Sequence, residues 1–161
     1  MPVIGAVHCI TSGNWPNQNF QPLLSPADEI YSFEDVLYLS AMINCGIVVE
    51  RVCRLPRDFR LVGTKSVIQL AEEIGLPAHR ECITSSAVGS QLLAQPELVN
   101  DWLLWSADQR CSPAWYFCED GEEYVVGYGQ NGEEKRFTNR ISACTQFVIH
   151  EVENIIATMA S

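Results

Sequence analysis

Residues 113 to 159, PAWYFCEDGEEYVVGYGQNGEEKRFTNRISACTQFVIHEVENIIATM, decide the fold of this chain. Residues 113 to 119 and 122 to 129 are aromatic and β-branched runs separated by Asp120-Gly121, a dipeptide whose positive φ angles suit a two-residue hairpin. Asn131-Gly132 then sets off a third run over 133 to 138, which predicts a three-stranded antiparallel meander. From 139 to 159, Ile141, Cys144, Phe147, Val148, Val152, Ile155 and Met159 recur at three- and four-residue steps, the spacing of one apolar helix face. One face of the meander has to pack on that helix.

Working back towards the N-terminus, Pro96 divides a helical region over about 87 to 107 into two helices, the second facing inward through Val99, Trp102 and Leu103. Thr64 can cap a helix with the stripe Val67, Leu70, Ala71 and Ile74, stopped by Gly75 and Pro77. Residues 47 to 55 (IVVERVCRL) are β-branched and roughly alternating, which predicts a strand, followed by a Pro-containing loop through Gly63. A further helix starts at Ser25-Pro26-Ala27-Asp28, faces inward through Ile30, Phe33, Leu37 and Ala41, and ends at Gly46. Residues 3 to 10 read as a short buried strand, and 11 to 24 as a loop pinned by Trp15 and Phe20. The expectation is one α+β domain over 1 to 161, with a mainly helical part over 1 to 110 and the meander plus C-terminal helix over 111 to 161.

The chain has 161 residues, 47% hydrophobic and 19% charged, enough to bury a real core and far from the signature of disorder. Twenty acidic against ten basic side chains give a net charge of −10, which argues against nucleic acid or anionic lipid as partners. No basic n-region marks a secretion signal, and the longest apolar stretches read as too short for a membrane span, so a soluble protein is expected. Cys9, Cys45, Cys53, Cys82, Cys111, Cys118 and Cys144 are odd in number and form no CxxC pair. That pattern matches neither a closed disulfide framework nor a zinc ribbon, and it points to buried thiols in a reducing cytoplasm.

Few residues offer chemistry. The histidines are His8, His79 and His150, none in a catalytic motif, and His8-Cys9 would point to opposite faces of a strand. His150 with Glu153, or His79 with Cys82, could supply two metal ligands at i, i+3, with no evident third, so neither a metal nor a cofactor is expected. Neither GxGxxG nor GxxxxGK[ST] occurs. Residues 66 to 83 could open a helix-turn-helix, but its second half offers only His79 and Arg80 to a groove. Arg51, Arg54, Arg57 and Arg60 form a triplet-spaced row that would alternate faces on a strand, and Pro56 argues against a helix running through it.

The sharper feature is acidic. Glu119, Asp120, Glu122, Glu123, Glu133 and Glu134 fall on the two turns of the meander, with no Lys or Arg between 119 and 134. Such a surface guards exposed strands, and it can also steer a cationic partner. Trp115, Tyr124 and Tyr128 are the candidate aromatic anchors beside it.

The run PAWYFCEDGEEYVVGYG, then Phe137, then ISACTQFVIHEVENI with Ala143 and Phe147, resembles the ending of small acidic immunity proteins that accompany bacterial polymorphic and contact-dependent inhibition toxins. The resemblance covers about fifty residues of the chain. It implies a cytoplasmic protein without an active site that covers a cognate toxin domain, often a nuclease with a basic groove. Two other classes stay in view: a small cysteine-dependent enzyme, and a regulator using 66 to 83.

Overall fold

The computed structural model describes residues 32–108, 110–112, 114–129 and 132–161. The expected strand over 3 to 10, the loop with Trp15 and Phe20, and the helix start at Ser25 lie outside those residues. The described elements are α1 (Phe33–Val62), α2 (Val67–Ile74), a 3₁₀ turn (Leu76–Cys82), α3 (Ser85–Ala94), α4 (Leu98–Ala107), β1 (Trp115–Asp120), β2 (Glu123–Tyr128), β3 (Glu134–Phe137) and α5 (Arg140–Met159). The architecture is α+β, helices first and then a three-stranded antiparallel sheet in the order β1-β2-β3 with a closing helix.

The meander follows the sequence reading, with a shift of one residue at its first turn. Asp120 pairs with Glu123, so Gly121 and Glu122 form the two-residue loop, and Gly121 takes the positive φ of 66°. Phe117 opposite Val126 turns inward onto Phe147 of α5, with the two phenyl centroids 5.7 Å apart. Phe147 also meets the Trp102 ring of α4 edge-on at 5.9 Å. The Trp102 indole N–H is buried and donates to the Cys53 carbonyl at 2.9 Å, tying α4 to α1. Helices α3 and α4 separate around Pro96 as expected, and Val99 and Trp102 are fully buried.

Residues 47 to 55 correct the sequence reading. They are not a strand; α1 neither ends at Gly46 nor breaks at Pro56, and it is closed only by Gly63 in the left-handed conformation. Val48, Val49, Val52, Cys53, Leu55 and Pro56 are the buried residues, and their three- and four-residue spacing places them on one helix face. Packing of that face overrides the β propensity of Ile and Val. Pro56 removes the amide that would bond the Val52 carbonyl, and its ring is buried in the same core. At the other end, Ser32 and Asp35 form a reciprocal capping box that starts the helix. The cap of α2 is Ser66 with Gln69, not Thr64.

The expectation that no stretch reaches membrane-spanning length also needs correction. By length and composition α1 passes that test, with a mean hydropathy of 1.6 over an 18-residue window of which 22% is buried.

Candidate functional site

Alternation along the strands sorts the predicted site residues. Trp115, Phe117 and their partners Tyr128 and Val126 lie on the α5 side, while Tyr116, Cys118 and Asp120 lie on the outer face. The structure does not bring the six carboxylates into one patch. Glu119, Asp120, Glu122 and Glu123 sit at the β1–β2 end of the sheet, and Glu133 and Glu134 at the β2–β3 end. Arg136, two residues beyond the stretch that lacks cations, pairs with Val125 mid-sheet and lies 2.8 Å from Asp120, 3.2 Å from Glu123 and 3.9 Å from Glu134. Arg140 at the start of α5 approaches Glu119 at 3.8 Å. Among the described residues, Glu122 and Glu133 have no cationic partner. One carboxylate without a cationic partner thus remains at each turn, Glu122 at the exposed β1–β2 tip and Glu133 at the β2–β3 end.

The aromatic candidates differ in availability. The Trp115 ring is stacked on His150 at 3.8 Å and meets Tyr128 edge-on at 5.1 Å. Tyr124 packs against Phe117. Tyr128 remains 51% exposed, whereas Trp115 and Tyr124 are half-buried. Burial lowers the His150 pKa, and Gln146 contacts its Nε2 at 2.6 Å, so this histidine serves packing. On the outer face Tyr116 lies across Gly127, where a Cβ would come within 2.4 Å of its ring, and its hydroxyl donates to Glu134. That bond to an anion pushes the phenol up to about 12.

The cysteines hold a second correction. Cys45 of α1 and Cys82 of the 3₁₀ turn are joined in a disulfide, a long-range pair with no spacing signature. The four other described cysteines are free, and burial first of all raises each: Cys53 to about 12, Cys111 to about 11, and Cys118 and Cys144 upward as well. A nucleophilic thiol needs the opposite shift.

Residues 66 to 83 do not form a helix-turn-helix. Helix α2 is followed by seven residues of 3₁₀ geometry, with Leu76 and Cys82 buried and Arg80 turned towards Glu153 at 3.5 Å. The backbone leaves helical geometry at His79, and the donor atoms of His79, Glu81 and Cys82 all lie within 4.8 Å of one another. The His79 and Cys82 pair seen at i, i+3 thus acquires the third donor that the sequence did not reveal.

Two further surfaces were not anticipated. An open cleft of about 370 Å³ between α1 and α4 is lined by Phe59, Arg60, Asp101, Trp105, Asp108 and Cys111. Its central carboxylate, Asp101, is held by Arg57 at 2.9 Å and by Arg60, so two members of the arginine row converge on one face of α1. The N-terminal half of α1 exposes Phe33, Val36, Leu37, Tyr38, Leu39, Met42, Ile43 and Ile47. A hydropathy scan at helical spacing, rather than strand spacing, would have found it.

Comparison with protein-family models, curated proteins and solved structures finds no match to this chain.

Proposed function

We propose that this chain is an immunity-type binding protein, which neutralises a cognate bacterial toxin domain in the cytoplasm by stoichiometric contact and without turnover. The observation that carries the reading is the exposed hairpin tip, where Glu119, Asp120, Glu122 and Glu123 face solvent or its margin around one glycine turn. Four carboxylates there meet only Arg136 and Arg140, so the tip stays negative within a chain of net charge −10. Fields of this sign speed encounter with a basic surface such as a nuclease groove, and they do so through the association rate more than through final affinity. Tyr128 is the most exposed of the three aromatic candidates, with Trp115 packed against it, while Tyr124 lies at the tip end of β2 against Phe117. The raised thiols count against the cysteine-enzyme reading, and the 3₁₀ turn counts against the DNA-binding one.

The interface is tested with the purified product of the gene immediately upstream. Glu119→Lys, Glu122→Lys and Glu133→Lys together should slow association at low salt and flatten its salt dependence. An association rate equal to that of the wild type at every salt concentration would move the contact to another face.

A further inference from the structure

Reduction of the disulfide would free two thiols, and the surroundings of Cys45 and Cys82 show what those thiols would meet. Cys45 comes from α1, and Cys82 ends the 3₁₀ turn that α1 packs against, with Cα atoms 5.1 Å apart. The kink at His79 leaves its ring nitrogen, a Glu81 carboxylate oxygen and the Cys82 sulfur all within 4.8 Å of one another. The His79 ring rests on Gly75, where a Cβ would sit 3.3 Å from Cδ2. Among the described residues neither His79 nor Glu81 makes a side-chain hydrogen bond or ion pair, while Arg80 between them is drawn off to Glu153. Two uncommitted donors therefore stand beside two sulfurs contributed by two different elements.

We infer that the reduced chain carries a zinc site formed by Cys45, Cys82, His79 and Glu81, and that the Cys45–Cys82 disulfide is its oxidised, metal-free form. Two thiolates, an imidazole and a carboxylate make the four-ligand set that a tetrahedral Zn²⁺ accepts, with sulfur ligands favouring it over Mg²⁺ or Ca²⁺. Bond lengths of about 2.0 to 2.3 Å place tetrahedral donors roughly 3.3 to 3.8 Å apart, a contraction for the His79, Glu81 and Cys82 donors, which lie within 4.8 Å of one another, with Cys45 brought in as the former disulfide partner of Cys82. Electrons and protons balance: two equivalents of a thiol reductant give two electrons and two protons to the disulfide and leave as their own disulfide. Zn²⁺ then displaces both thiol protons to solvent and binds the neutral His79 ring and the Glu81 carboxylate. The site keeps α1 fastened to the 3₁₀ turn when the covalent link is gone.

The test is a titration of the full chain with Co²⁺ and then Zn²⁺, once oxidised and once reduced under metal-free, anaerobic conditions. The reduced chain should bind one ion, with the intense sulfur-to-cobalt charge-transfer absorption of a tetrahedral thiolate site, and the oxidised chain none. Cys82→Ser should abolish that absorption, and His79→Ala and Glu81→Gln should each weaken binding by about tenfold or more. Glu81 is exposed and unpartnered, so Glu81→Gln leaves the fold intact and keeps the titration readable. Absence of the charge-transfer band in the reduced chain, or Zn²⁺ affinity unchanged by both His79→Ala and Glu81→Gln, overturns the assignment.

Discussion

Glu151 is the one fully buried glutamate among the described residues, and it accepts two hydrogen bonds. The Ser112 hydroxyl lies 2.6 Å from the Trp115 carbonyl and 2.7 Å from Glu151 Oε1, but it has a single proton to donate. The Ser112 hydroxyl is therefore shared between the Trp115 carbonyl and the Glu151 carboxyl, both of which accept from it. Its other oxygen accepts from the Trp105 indole N–H at 3.2 Å. Burial pushes the Glu151 pKa up, against the lowering effect of those two bonds, and no cation lies in ion-pair contact with it. With its pKa raised by burial, Glu151 binds a proton more tightly in the folded state than in the unfolded state. Its contribution is therefore complete below the usual glutamate range and is lost as pH rises through the raised folded value. Urea unfolding across that window should show stability falling by up to about 1.4 kcal/mol per pH unit in the wild type. Glu151→Gln, which keeps both contacts, should remove that component; identical slopes would mean that Glu151 is already ionised in the fold. Asp101 is a carboxylate of a different kind, in ion-pair contact with both Arg57 and Arg60. Asp101→Ala should cost about 1 to 3 kcal/mol in the same assay, because it strands two arginines at the margin of the core. A loss below a few tenths would show that water replaces the carboxylate fully.

At the scale of elements, the parts legible in the sequence were those with local signals. The glycine turns, the split at Pro96 and the apolar stripe of α5 each carry their own signature, and each appears within a residue or so of its expected place. The run from Ile47 to Leu55 was misread because its β-branched residues satisfy both a strand and a helix pattern, and only packing against Leu92, Trp102 and the rest of the core decides between them. The same distance effect hid the Cys45–Cys82 link, which closes a loop of 37 residues in sequence. Opening it without metal should lower unfolding stability by about 2 to 4 kcal/mol, measured in denaturant with and without a phosphine reductant. Peptide mapping of the alkylated, unreduced chain should recover Cys45 and Cys82 in one linked pair, and alkylation of both would refute the bond. In the sheet, Gly127→Ala should push Tyr116 off Glu134 at a cost of about 1 to 3 kcal/mol, and the phenol titration should then fall back from about 12 towards its ordinary value. An unmoved phenol titration would place Tyr116 elsewhere.

For the whole molecule, charge and composition were readable from the start, but the arrangement of charge was not. The six meander carboxylates look like one block in sequence because Arg136 and Arg140 lie just outside the stretch that holds them; folding back β3 and α5 brings both arginines in. What remains is a smaller acidic surface at the β1–β2 tip, with the exposed Tyr128 at the opposite end of the same strand pair. The zinc cluster was half visible as His79 and Cys82, and its other half came from a turn geometry and a helix thirty-odd residues away. Under the proposed function, this surface would hold a toxin domain. Co-expression of the chain with the product of the gene immediately upstream, scored for growth and for co-purification, tests it most directly. Restored growth together with a 1:1 complex is the expected result. A toxic neighbour that is neither relieved nor bound would contradict it.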